Sequence, residues 1–330
     1  MLKVSTAPHF YGKTDTRSIM RDVIIALLPA GIVAVMLFGL NALITIVTAV
    51  AGCVCFEYLG CRLLLKTKPT TGDLSAIVTG LLLAYNLPCN MPVWMTLIGC
   101  FVAIVVGKTA FGGIGKNIFN PALAGRVFLF ISFPAQMSNW VTPKLFDFMN
   151  TDVTTSATTL SVLKHLDATT SATKLSSQIS ELPRYSEMFL GYTGGSMGEV
   201  SAVALLLGLF YLLYRRVISW HIPVYYLGSF FILIGIEWLC TDAPSAEPLT
   251  HILSGGLLLG ACFMATDYTT SPMSENGKIV FAIGCGVLTY VIRRYSSYPE
   301  GVSFAILIMN AFVPLIDKYI RPRIFGTGRK

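Results

Sequence analysis

Two copies of one short pattern hold most of the hydroxyl chemistry in this chain: Asp152-Val-Thr-Thr-Ser-Ala-Thr158 and, soon after, Asp167-Ala-Thr-Thr-Ser-Ala-Thr173. A threonine among small residues can be O-modified or can simply belong to a disordered, solvated loop, and the residues alone leave these open. A second group is Gly112-Gly-Ile-Gly-Lys-Asn117-Ile-Phe-Asn120-Pro-Ala-Leu-Ala-Gly-Arg126. Its glycines admit close backbone approach, its two asparagines both donate and accept, and its arginine lies well inside an apolar stretch. A cation at that depth costs about 2.5–3.5 kcal/mol on insertion scales. Arg126 is therefore expected to face a cavity, a partner carboxylate or an anionic ligand, or to brace a helix break together with Asn120. A third group, Met264-Ala-Thr-Asp267-Tyr-Thr-Thr-Ser-Pro272, brings hydroxyls and one carboxylate to the end of an apolar run. Asp267 can meet a cation or ring nitrogens, or cap a helix, and Glu237 is the other carboxylate within an apolar run; a proton or sodium role is open to either.

Several chemistries are missing. There is no nucleophile elbow, P-loop, dinucleotide-binding glycine motif or HExxH pair. The histidines, His9, His165, His221 and His251, are scattered, and the eight cysteines form no CxxC pair or Cys/His cluster of metal-ligand spacing. Cys53 and Cys55 are two positions apart, which on a helix points their thiols in different directions. No metal site and no catalytic side chain is expected, so the reaction belongs to a bound cofactor that the protein positions.

The elements that must position these residues are membrane helices. Of 330 residues 54% are hydrophobic and only 12% charged, and the mean hydropathy is +0.68. The net charge of +7 sits at the ends of apolar runs, where it orients spans in the bilayer, and not in a stripe suited to nucleic acid. Apolar runs fall at about 22–40, 42–60, 74–88, 92–107, 117–133, 199–214, 222–240, 251–264, 278–292 and 301–316. The first two are joined by almost nothing and predict a tight hairpin. The third is short, and Pro88 and Pro92 bracket a break at membrane depth, where backbone must be buried in protein or line a cavity.

The chain divides into a basic leader and first membrane half over 1–133, a polar interval over 134–198, and a second membrane half with a basic tail over 199–330. Arg62, Lys66 and Lys68, then Lys108 and Lys116, then Arg215 and Arg216 mark the cytoplasmic side, which puts both termini inside and the polar interval outside. Arg293 and Arg294 conflict with this assignment, unless they are buried in protein. Thr79-Gly-Leu-Leu-Leu-Ala84 in the first half recurs as Gly255-Gly-Leu-Leu-Leu-Gly260 in the second. The expected fold is an all-α polytopic membrane protein of about ten transmembrane helices, arranged as two inverted repeats of about five, with short or broken helices at matching places.

Gly112–Arg126, Ser254–Pro272, Tyr298-Pro-Glu-Gly301 with the following span to Asp317, and Gly194-Gly-Ser-Met-Gly-Glu199 together resemble the RnfD family of membrane subunits of the Rnf complex, which shares its fold with a membrane subunit of the sodium-translocating NADH:quinone reductase. The resemblance covers nearly the whole chain, and the fold also resembles that of urea transporters. It implies FMN joined by a phosphoester to a threonine, installed outside the cytoplasm by a flavin transferase. Both copies fit the family pattern; Thr158, followed by Thr159-Leu-Ser-Val-Leu-Lys164 and preceded by Trp140-Val-Thr-Pro143, fits its surroundings better than Thr173.

The resemblance further implies a subunit, in a bacterial cytoplasmic membrane, of an ion-translocating ferredoxin:NAD oxidoreductase, with other Rnf subunits as partners and lipid around it. A noncovalent riboflavin between the repeats is a further expectation, with its contacts unassigned; Asn117, Asn120, Arg126 and Asp267 are separate candidates for contact with a cofactor. The competing expectation is a secondary transporter or channel, since inverted repeats with broken helices are frequent there.

Overall fold

Gly39 divides the first apolar stretch. Helix α1 (Thr16–Gly60) is helical throughout except at this residue, where φ is 67° and ψ is −147°, a conformation glycine reaches without a Cβ clash. In the computed structural model, which describes residues 15–67, 70–143, 158–168, 183–198, 201–240, 247–296, 298 and 300–320, the next helix touches both arms of α1. That helix is α2 (Ser75–Tyr85). Tyr85 donates its hydroxyl to Leu27 O at 2.9 Å, and a Cβ on Gly80 would lie 2.8 Å from Val50 Cα. Gly80 and Tyr85 are about 7.5 Å apart along their axis, whereas Leu27 and Val50 would be about 35 Å apart in an unbroken helix. The chain therefore doubles back at Gly39, giving the hairpin that the two adjoining apolar runs imply.

The break between Pro88 and Pro92 is largely buried, and carbonyls in it and just before it are met from elsewhere in the protein. Thr45 donates its hydroxyl to Cys89 O at 3.2 Å, and the amides of Met197 and Gly198 donate to Leu87 O and Tyr85 O. A Cβ at Gly198 would lie 2.2 Å from Tyr85 Cβ, so only glycine lets the 196–198 segment reach this break. Helix α3 (Val93–Phe101) continues through a π-helical turn over Val102–Val106. Helix α4 (Pro121–Ser132) starts later than the run at 117–133 suggests. Gly112, Gly113 and Gly115 hold φ of 104°, 96° and 83°, which keeps the preceding tract as loop until Asn120 caps α4 and Pro121 takes its first position. A short α5 (Pro134–Met137) follows.

Among the described residues, the polar interval continues after α5 with α6 (Thr159–Ala168) and α7 (Tyr185–Leu190). The second half holds α8 (Ala202–Tyr214), α9 (His221–Cys240), α10 (Pro248–Leu253), α11 (Leu257–Leu259) with a π-helical turn over Gly260–Met264, α12 (Glu275–Tyr295) and α13 (Val302–Tyr319). The expected span at 251–264 is thus broken, at Gly255, whose φ is 70°. The described elements are all helical. Five of these stretches are long and apolar enough to cross a membrane, and three shorter apolar helices, α2, α4 and α8, pack among them. The broad, lipid-suited apolar exterior includes Ile32, Val47, Phe210 and Ile232.

Candidate functional site

Asn117, Asn120 and Asp267 converge on one cavity. Asn117 Nδ2 donates to Thr269 Oγ1 at 2.9 Å, and that hydroxyl donates to Asp267 Oδ2 at 2.9 Å. Thr270 donates to the same carboxylate oxygen at 3.3 Å. Asn120 Oδ1 accepts the amides of Ala122 and Leu123, capping α4, while its Nδ2 donates to Met264 O at 3.2 Å. Asn310, in the orientation that suits its neighbours, donates to Thr270 O and accepts the Asn120 amide. One short polar cluster thus ties the loop before α4 to the break after Met264. The cavity beside it has apolar walls from Val78, Leu82 and Phe263 and a polar rim from these residues and Lys108.

Lys108 belongs to this site although the sequence pattern marks it only as a turn charge. Its ammonium donates to Glu57 Oε1 at 2.5 Å and to Ser75 Oγ at 2.6 Å, and Thr70 donates to the same Glu57 oxygen. Both charged side chains are almost wholly buried. Glu57 Oε2 has no hydrogen-bond partner among the described residues.

Arg126 does not line this cavity. Of the roles open to it, a carboxylate partner is the one found: its Nη2 pairs with Glu300, while Nη1 donates to Asn86 Oδ1 at 2.7 Å and Ser303 Oγ at 2.8 Å. The guanidinium fork joins α4, the α2 break and the start of α13. Asn86 in turn donates to Leu82 O and Met264 Sδ, so Asn120 reaches Met264 directly and Arg126 connects to it through Asn86.

Thr158 lies directly before α6 and is 8% exposed. Its Oγ1 accepts the Ser161 amide at 3.1 Å, and Ser161 Oγ donates back to Thr158 O at 2.7 Å, an N-cap arrangement. Leu160 fills a notch that exists because residue 255 is glycine: a Cβ there would lie 2.3 Å from Leu160 Cδ1 and 3.2 Å from Arg293 Nη2. Lys164 donates to Ser296 O and to Tyr298 O, the latter at 2.9 Å. The helix is thereby docked on the second half. Thr173 and residues 152–157 lie outside the described residues, as do the leader before 15 and the tail after 320.

A sequence model of the NQR2, RnfD, RnfE family matches residues 3–326. The chain belongs to that family. The D subunit of the Na(+)-translocating ferredoxin:NAD(+) oxidoreductase complex of Acetobacterium woodii is 44% identical over 99% of this chain and 96% of its own length. The D subunit of the proton-translocating ferredoxin:NAD(+) oxidoreductase complex of Clostridium ljungdahlii is 41% identical, with the same 99% and 96% covered. The D subunit of the ion-translocating oxidoreductase complex of Halorhodospira halophila is 40% identical over 100% of this chain and 97% of its own.

Within this NQR2, RnfD, RnfE chain, the two arginines that conflict with charge bias are both engaged. Arg294 pairs with Glu237 at 2.8 Å, and Arg293, 9% exposed, donates to His251 O and Ser254 O and lies 5.1 Å over the Phe230 ring. These contacts parallel those of Lys108 with Glu57 and Ser75. The sequence carries the signal in Phe56-Glu57-Tyr58-Leu59 and Ile236-Glu237-Trp238-Leu239, a second likeness between the halves beside the Gly-Leu-Leu-Leu runs.

Proposed function

We propose that the chain is the flavin-carrying membrane subunit of an ion-translocating ferredoxin:NAD oxidoreductase, with FMN esterified to Thr158 and other subunits of the complex as electron partners. The observation that carries this is the placement of Thr158. Its hydroxyl stands at the N-terminus of a helix anchored to the membrane domain, where a phosphodiester meets amides and the positive end of the helix dipole. The relatives' names, from complexes acting on ferredoxin and NAD(+), support the same reading.

The cavity at Asn117, Asn120 and Asp267 suits a second, noncovalent flavin such as riboflavin. Apolar walls match the faces of a ring system, and amides, hydroxyls and a carboxylate match a ring edge or a polyol. The cation on its rim, Lys108, is already paired with Glu57, which favours a ligand without phosphate. A flavin supplies one- and two-electron transfer; the protein's part is to hold it, exclude water and set its electrostatics.

In this reading about ten spans form two inverted halves in a bacterial cytoplasmic membrane, with both termini inside and α6 outside, where a flavin transferase acts. The parallel Glu57–Lys108 and Glu237–Arg294 pairs support the repeat. A rocking transporter is disfavoured, because the halves are bonded at several levels: Asp22 to Arg215, Asn120 to Met264, and Arg126 to Glu300. The test is expression with a flavin transferase, acid denaturation and a search for flavin fluorescence on the gel band. Fluorescence lost in Thr158→Ala and kept in Thr173→Ala is the expected result; a dark wild-type band would sink the proposal.

A further inference from the structure

The Thr158 hydroxyl is engaged and covered in the folded chain. Thr158, Thr159, Leu160 and Leu163 are 8%, 7%, 5% and 4% exposed, and a lone pair of Oγ1 is taken by the Ser161 amide. Esterification requires this oxygen to approach a phosphorus in line, inside another enzyme's active site. Oγ1 must attack the phosphorus of a flavin-bearing pyrophosphate, forming the Oγ–P bond as the P–O bond to a nucleoside monophosphate breaks. The hydroxyl proton passes to a base or to water, and no electron is exchanged. A hydroxyl on a side chain 8% exposed, at the foot of a helix docked on the second half, leaves no room for a second enzyme to close around it.

We infer that the transferase acts on a form in which residues 158–164 are undocked from the second half, so that flavin attachment precedes docking of α6 and docking closes the acceptor to further exchange. This rests on the reading of Thr158 as acceptor. Two contacts hold the docked form, Leu160 in the Gly255 notch and Lys164 on the carbonyls of Ser296 and Tyr298, while the Thr158 cap closes the helix's own first turn. After transfer, Oγ1 keeps a lone pair for the Ser161 amide, and a phosphodiester at the N-terminus of α6 suits the positive end of the helix, so the modified segment can return to its seat.

The test uses the full-length unmodified chain in detergent, carrying Thr173→Ala, mixed with a flavin transferase and its dinucleotide donor, with initial incorporation read by gel fluorescence. Lys164→Ala frees α6 without touching residues 152–160, and Gly255→Ala displaces Leu160 from the other side. When a reaction proceeds from a transiently open form, its rate follows the open population, so each variant should be modified roughly five-fold faster or more. Hydrogen exchange at the Ser161 amide should quicken in the same variants. Equal rates in the parent and in Lys164→Ala, with flavin incorporated in both, would overturn the inference while leaving the acceptor assignment intact. No incorporation in any chain would overturn both.

Discussion

Lys108 and Glu57 lie 2.5 Å apart with side chains 4% and 2% exposed, and only one oxygen of the carboxylate is hydrogen-bonded among the described residues. Removing one member of such a pair strands the other charge. Lys108→Met should therefore destabilise the chain by about 3–5 kcal/mol, and Glu57→Leu by a similar amount. The double variant should recover much of that loss. Thermal unfolding of the four proteins in one detergent forms the double-mutant cycle, and strictly additive losses would contradict the pairing.

Arg126 makes a different use of its charge. Its two terminal nitrogens serve Glu300, Asn86 and Ser303, a fork that an ammonium does not reproduce. Arg126→Lys is expected to cost about 1.5–3 kcal/mol through a lost charged hydrogen bond, seen as a lower unfolding temperature. Covalent fluorescence at Thr158 should persist in this variant; its loss would place Arg126 in the flavin chemistry instead.

The cavity gives a separable outcome. Asn117→Leu removes the donor to Thr269 and should lower the flavin released by acid from the purified chain several-fold, leaving the fluorescence fixed to the gel band unchanged. Asp267→Asn, which keeps the size and loses the charge, should shift the midpoint potential of that released-flavin pool measured before denaturation. Unaltered flavin content in Asn117→Leu would remove this cavity as its seat.

Gly198 tests the buried break. Its Cβ would lie 2.2 Å from Tyr85 Cβ, whereas a Cβ on Gly228 meets nothing within 4 Å. Gly198→Ala should cost about 1–3 kcal/mol by overpacking, while Gly228→Ala should be near neutral or stabilising. Comparable yields of monodisperse protein from both would argue against the close approach of the 196–198 segment to α2.

The membrane character, the hairpin at Gly39 and the proline-bracketed break are legible because each rests on local pattern: run length, missing polar linkers and residues that cannot continue a helix. Asn117, Asn120 and Asp267 are legible as polar residues at the ends of apolar runs, and they do meet. Arg126 is legible as a buried charge, but its partner Glu300 lies far along the chain, and sequence spacing does not pair residues across two halves. Lys108 reads as a turn charge for the same reason: only the fold brings α1 and α2 against it. The delayed start of α4 follows from three left-handed glycines, whose effect on an apolar run is invisible to hydropathy.

Helix α12 acts as a ruler. Its first turn, capped by Ser274, follows the loop that carries Asp267, and its last turn carries Arg293 against the notch that holds Leu160. Its 21 residues extend about 30 Å. Electron tunnelling falls exponentially with distance, so with flavins at both ends of that ruler a direct jump between them would be too slow to serve turnover. In the proposed reading, an electron passing between flavins at the two ends would therefore need a carrier on another subunit of the complex.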